Sequence, residues 1–156
     1  MKQLKISWKR FDNDIRALAK MTQEAEYDNC DILAISRGGL VPASMLSHYT
    51  NNQHIEVIGV KSYNNDATRT PIVELIQAPY PLGNFPEKIL IVDDLVDSGD
   101  TLRFVDNYIH ERTVFMEKPI EVNIAVMYDK DISDYKADIF VEYVDHETWL
   151  VFPWEL

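Results

Sequence analysis

Ile89-Leu90-Ile91-Val92-Asp93-Asp94-Leu95-Val96-Asp97-Ser98-Gly99-Asp100-Thr101 is the stretch on which the reading of this chain turns. Lys88 to Val92 has the β-branched, apolar composition of a buried strand. Two carboxylates follow at once. Successive strand residues point to opposite faces, so a continuing strand would bury one of these acids at considerable cost. The spacing therefore predicts a strand that ends near Val92, with Asp93 and Asp94 turned toward one ligand. Carboxylates accept hydrogen bonds from vicinal hydroxyls or hold a hard cation such as Mg²⁺. Asp97 adds a third acid, and Ser98, Gly99, Asp100 and Thr101 bring hydroxyls and backbone N–H groups to the start of a helix predicted from Thr101 to Arg112, a usual place for a phosphate. A capped turn explains Asp97 to Asp100 alone. It does not explain the two acids upstream.

Working outward, Trp8, Phe11, Ile15, Leu18 and Met21 recur at helical spacing behind Ser7, a candidate N-cap. Strands are expected at Asp31 to Ile35, Ile55 to Lys61, Ile72 to Gln77, Val122 to Tyr128 and Asp138 to Glu142, with a helix from Leu40 to Tyr49. This alternation predicts an α/β fold, a mostly parallel twisted sheet with helices on both faces, in a single domain. In such sheets ligands bind beyond the carboxyl ends of the strands. A second loop there, Ser36-Arg37-Gly38-Gly39, combines a guanidinium suited to phosphate with glycines that admit close backbone approach. A turn with a surface arginine would read the same way. Neither loop carries the Gly-Lys-Ser or Gly-Lys-Thr of a P-loop.

A net charge of −11 over 156 residues opposes a broad phosphate-gripping face, so nucleic acid is not an expected partner. One small anion is still compatible with that charge. No apolar run has the length of a membrane span, and no signal segment is recognisable, so a cytoplasmic protein is expected. Cys30, the only cysteine, is read as a small core residue. His48, His54, His110 and His146 lack metal-ligand spacing and are expected at the surface.

Ile91 to Leu102 resembles the phosphoribosyl pyrophosphate signature of type I phosphoribosyltransferases. Ile35 to Pro42 is similar to the pyrophosphate loop of the xanthine-guanine branch, Lys61 to Thr70 to its mobile loop, and Glu147 to Glu155 to its C-terminal base-binding segment. The resemblance implies one phosphoribosyltransferase domain over residues 1–156, with a small base-binding hood near 130–156. It implies transfer of 5-phosphoribosyl from phosphoribosyl pyrophosphate to a 6-oxopurine, with Mg²⁺ as cofactor and a homodimer or homotetramer as the assembly. Asp93 and Asp94 would then hold the ribose hydroxyls, with Asp94 also near the metal. Asp97 would face the imidazole edge of the base and act in catalysis. Ser98, Gly99, Asp100 and Thr101 would wrap the 5′-phosphate, while Ser36, Arg37, Gly38 and Arg69 would hold pyrophosphate. Lys130 would donate to the 6-oxo group, Trp149 would stack on the base, the Leu150 backbone would read its 2-position, and Glu155 would lie near that edge. Asp131 stands where relatives commonly carry proline, and Glu111 to Glu121 is longer than the connection expected.

Two other readings share these residues. The acceptor is another heterocycle, or the fold binds the ribose phosphate as a signal and regulates transcription or RNA. The charge of −11 weighs against the second.

Overall fold

The structure is a computed structural model that describes residues 2–64, 71–81 and 84–155. Its main sheet has six strands in the order β4-β3-β2-β5-β6-β7. In chain order these are β2 (Asp31–Ser36), β3 (Ile55–Asn64), β4 (Pro71–Gln77), β5 (Lys88–Val96), β6 (Glu121–Lys130) and β7 (Ile139–Val144). All neighbours run parallel except the β3–β4 pair, which is antiparallel and forms one edge. The central strands are β-branched and buried on both faces, as helices on both sides require.

Helix α1 (Trp8–Glu24) starts where the Ser7 side chain accepts from the Arg10 N–H at 3.2 Å. Its stripe of Phe11, Ile15 and Leu18 packs on one sheet face with Ala43 and Leu46 of α2 (Leu40–Thr50). Helix α3 (Asp100–Thr113) covers the other face through Leu102, Val105 and Ile109. Cys30 and the four histidines lie as expected, the thiol buried and the imidazoles exposed. Among the described residues no helix is long and apolar enough to cross a membrane.

Two features depart from the sequence reading. Strand β5 does not end at Val92: beyond that point β6 still pairs with it, through Asp93 with Val126 and Val96 with Asp129. Pairing with β2 stops at Val92 and Ala34, so only one flank opens. The second is β1 (Lys2–Lys5), too short and too charged to stand out, which pairs in parallel with β8 (Thr148–Val151). This two-stranded sheet ties the N-terminal segment to the C-terminal segment read as the hood. The long Glu111 to Glu121 connection continues α3 to Thr113 and then turns with Phe115 93% exposed.

Candidate active site

Because β5 continues, Asp93 and Asp94 take opposite faces and enter two different clefts. Asp93 lines a cleft of about 530 Å³ with Leu95, Asp97 and the run Ser98 to Leu102. Asp94 lines another, of about 690 Å³, with Arg37, Gly38, Trp154 and Glu155. The expectation of a strand that ends at Val92 is thus corrected, and the two acids open on different clefts. They flank the strand end like the two sides of a blade.

In the first cleft, Gly99 at φ 92° turns the chain into α3 and, having no side chain, does not itself cap the helix. The N–H groups of Thr101 and Leu102 in its first turn suit an anion, with the helix dipole favouring negative charge. Ser98 and Asp100 shape this loop: the Ser98 hydroxyl donates to Asp100 Oδ2 at 2.6 Å and accepts from the Asp100 N–H at 3.3 Å. Thr101 lines the same wall, as do Ser62, in the stretch that resembles the mobile loop, and Pro71 just beyond it, which nothing in the sequence singled out. Burial, and then the charge of Asp94, hold the Asp93 carboxyl well above the usual carboxylate range. Its Oδ1 accepts the Asp94 N–H at 2.9 Å.

In the second cleft, Ser36 closes β2 and is joined to Arg37 by a cis peptide bond. Arg37 is exposed on this cleft, where a guanidinium suits a phosphate. Gly39 begins α2 so close to β5 that any side chain would meet the Val92 carbonyl. Burial foremost, with the negative charge of Glu155 adding to it, pushes the Asp94 carboxyl up to about 6. Glu155 is held by the Phe152 N–H, which donates to its Oε2 at 2.8 Å. It therefore sits beside Asp94 and Arg37. Arg69 and most of the stretch 62–70 fall outside the described residues.

Residues near 130–156 reach the first cleft through Asp97. Lys130, the last residue of β6, is 7% exposed at its side chain, and its ammonium lies 3.2 Å from Asp97 Oδ1. It also donates to the His146 carbonyl at 3.4 Å. Asp131 accepts from the His146 N–H at 3.0 Å, so two adjacent residues hold the N–H and the carbonyl of His146 in the turn before β8. Trp149 on that strand is 51% exposed, whereas Phe152 is buried and stacks on Trp154 at 4.8 Å. One aromatic is left for a ligand and two for the core. Leu150 is buried and pairs with Leu4 of β1.

An α/β sheet whose strand ends carry a carboxylate-flanked anion loop, a second cationic loop and an aromatic hood defines a transferase of phosphorylated sugars. The comparisons agree. The phosphoribosyl transferase domain model matches residues 2–156, and the chain belongs to that family. A xanthine-guanine phosphoribosyltransferase of Cereibacter sphaeroides is 36% identical over 97% of this chain and 86% of its own. The protein of the same name from Ruegeria is 32% identical, again over 97% of this chain and 84% of its own. Among solved structures, a purine phosphoribosyltransferase from Pyrococcus horikoshii superposes with a TM-score of 0.82 at 29% identity, covering 100% of this chain and 95% of that one.

Proposed function

We propose that the two clefts hold the two ends of phosphoribosyl pyrophosphate and that the hood presents the base between them. The enzyme serves purine salvage, moving the 5-phosphoribosyl group to a 6-oxopurine and releasing pyrophosphate and a nucleoside monophosphate. The observation that carries the residue assignment is the 3.2 Å separation of the Lys130 ammonium and the Asp97 carboxylate. On a 6-oxopurine O6 and N7 lie side by side. A cationic donor beside a carboxylate acceptor meets that edge when N7 carries the proton: Lys130 donates to O6 and Asp97 accepts from N7–H. A 6-amino group would face Lys130 with a second donor. Trp149 stacks on the base and the Leu150 backbone borders its 2-position.

In this pose N9 has a free lone pair and attacks C1 of the ribose. The C1–N9 bond forms, the bond from C1 to the pyrophosphate oxygen breaks, and the N7 proton passes to Asp97. The transition state has oxocarbenium character, so catalysis stabilises positive charge at the sugar and negative charge on the leaving group. Asp93 accepts from ribose hydroxyls, Ser98 to Thr101 hold the 5′-phosphate, and Ser36, Arg37 and Gly38 hold pyrophosphate, with Arg69 assigned there by resemblance.

Asp94 suits Mg²⁺, with Glu155 beside it. Among the described residues no three metal-type side chains converge. A pair of carboxylates next to a phosphate site is the arrangement in which Mg²⁺ is held by one or two protein oxygens, substrate phosphates and water. When bound, the ion neutralises charge on the leaving group. Burial raises the Asp94 carboxyl, with Glu155 adding to it, and a bound cation would favour its charged form.

The test is pyrophosphate release from phosphoribosyl pyrophosphate and Mg²⁺ with guanine, xanthine, hypoxanthine and adenine in turn. Release with the three 6-oxopurines and none with adenine is expected. Turnover of adenine alone would overturn the Lys130 assignment. Asp97→Asn should lower kcat by about 10² to 10⁴, the range of general acid–base catalysis, with a small effect on the KM of phosphoribosyl pyrophosphate. Sedimentation of the active enzyme is expected to show a homodimer or homotetramer.

A further inference from the structure

Asp129 is fully buried, carries a charge-bearing group, and has no part in the chemistry above. It precedes Lys130 on β6, and its Oδ1 lies 3.3 Å from the Lys136 ammonium. Its other oxygen accepts the Ala137 N–H at 3.3 Å. Lys136 makes its shortest hydrogen bond elsewhere: its ammonium donates to the main-chain carbonyl of Lys130 at 2.7 Å. The Ser133 N–H donates to that same carbonyl at 3.2 Å. One side chain, Lys136, and one backbone N–H, Ser133, thus hold the carbonyl of the lysine assigned to the base.

The same segment reaches the phosphate loop. A Cβ on Gly99 would lie 2.7 Å from Tyr135 Cβ and 2.9 Å from Ser133 Oγ, so these residues rest directly on the turn into α3. The Tyr135 hydroxyl donates to Asp106 of α3, and the Arg103 guanidinium lies 5.6 Å from the Tyr135 ring centroid. Asp129 is enclosed while the Lys136 side chain is 40% exposed, and an ion pair with one buried partner is weak support for a fold. A pair that fixes a single geometry at a ligand-facing residue has a different use.

We infer that Lys136, held by Asp129, is a positioning residue for the base: it fixes the Lys130 carbonyl and so aims the Lys130 ammonium at O6, while residues 133–135 set that lysine against the phosphate loop. This rests on Lys130 being the base donor. Lys136 touches neither substrate.

Removing Lys136 alone leaves Asp129 buried and unpaired, and that variant is free to fail by unfolding. The deciding protein is therefore the double variant Asp129→Asn/Lys136→Met, in which no unpaired charge remains and the introduced carboxamide keeps an acceptor for the Ala137 N–H. Its melting temperature should stay near that of the parent, while the KM for guanine rises about tenfold with kcat changed less than about threefold, the scale of one lost charge-assisted hydrogen bond. The KM for phosphoribosyl pyrophosphate should move less than that for guanine. Lys136→Arg, which retains a charged donor for both oxygens, should restore most of the guanine KM. A double variant with the parental guanine KM would overturn the inference and leave the pair a purely structural one. So would a double variant that does not fold, or equal losses toward both substrates. Lys130→Met, measured alongside, separates the two claims: if it leaves the guanine KM unchanged, the base-donor assignment fails first.

Discussion

Gly38 faces Asp94 so closely that a Cβ on the glycine would sit 2.6 Å from both carboxylate oxygens. The loop proposed for pyrophosphate and the acid proposed for the metal thus share one space, available only because Gly38 has no side chain. A methyl group there must push the Asp94 carboxylate, which is the far end of a short side chain. Gly38→Ala should therefore keep the fold and lose function, with the KM for phosphoribosyl pyrophosphate and the Mg²⁺ requirement both rising. Gly39→Ala should do the reverse. Its Cβ would meet backbone, the Val92 carbonyl at 2.3 Å and the Ile35 carbonyl at 2.8 Å, which cannot give way without moving β5 or β2. Urea midpoints alongside kinetics check the contrast: a loss of stability of about 1–3 kcal/mol, the usual cost of overpacking, is expected for Gly39→Ala only.

The Asp94 carboxyl, raised to about 6 mainly by burial and also by Glu155, makes the metal-free protein sensitive to pH. The native state holds this proton more tightly than the unfolded chain. The stability it contributes is full below the unfolded value near 3.8 and is lost as pH rises through about 6. Urea midpoints of the metal-free protein should therefore fall between about pH 4.5 and 7 in excess of the same comparison for Asp94→Asn. Glu155→Gln keeps an acceptor for the Phe152 N–H while removing the charge beside Asp94, and should shrink that excess. An identical pH slope in all three proteins would remove Asp94 as the cause.

Cys30 is buried at the start of β2, where desolvation pushes its thiol up to about 11. The thiolate is the reactive form, and little exists at about pH 8 in the folded protein. Its Sγ donates to the Tyr27 carbonyl at 3.0 Å, which holds it inward. A disulfide reagent should label Cys30 only as fast as the structure opens, and denaturant should raise the rate steeply. Stoichiometric labelling within seconds in native buffer would contradict this burial.

What the sequence made legible follows from the kind of force involved. The run Ile89 to Val92 is apolar enough to demand burial on both faces, and helical spacing in Trp8 to Met21 specifies α1. These signals are local and strong. The extension of β5 through Asp93 and Asp94 was not legible, because it is set by pairing with Val126, Tyr128 and Asp129 on a strand about thirty residues away, where tertiary pairing overrides the cost assigned to a buried acid. For the same reason β1 was missed: Lys2 to Lys5 has no strand pattern of its own and is ordered by Thr148 to Val151 at the far end of the chain. Anion-loop residues could be read from composition, but the meeting of Glu155 with Asp94, or of Lys136 with the Lys130 carbonyl, depends on chain crossings that no spacing encodes.

Trp149 and Phe152 stand three residues apart and should separate binding from stability. Trp149 is 51% exposed on the hood, so its truncation removes little buried surface. Phe152 is 4% exposed, stacks on Trp154 and lies 5.9 Å from the Tyr128 ring. Trp149→Ala should raise the KM for every 6-oxopurine by a common factor of about ten, since base stacking is worth about 1–3 kcal/mol and reads no particular edge. It should leave the order of preference among guanine, xanthine and hypoxanthine unchanged, together with the urea midpoint. Phe152→Ala should instead cost roughly 3–5 kcal/mol of stability, the usual penalty for emptying a core aromatic site. Any kinetic change in that variant should follow its folded fraction. Fluorescence supplies an independent reading, because a purine stacking on Trp149 quenches an exposed indole: the signal should persist in Phe152→Leu and vanish in Trp149→Phe. Quenching that survives in Trp149→Phe would move the base to Trp154 or Trp8 and undo the proposed geometry of the hood.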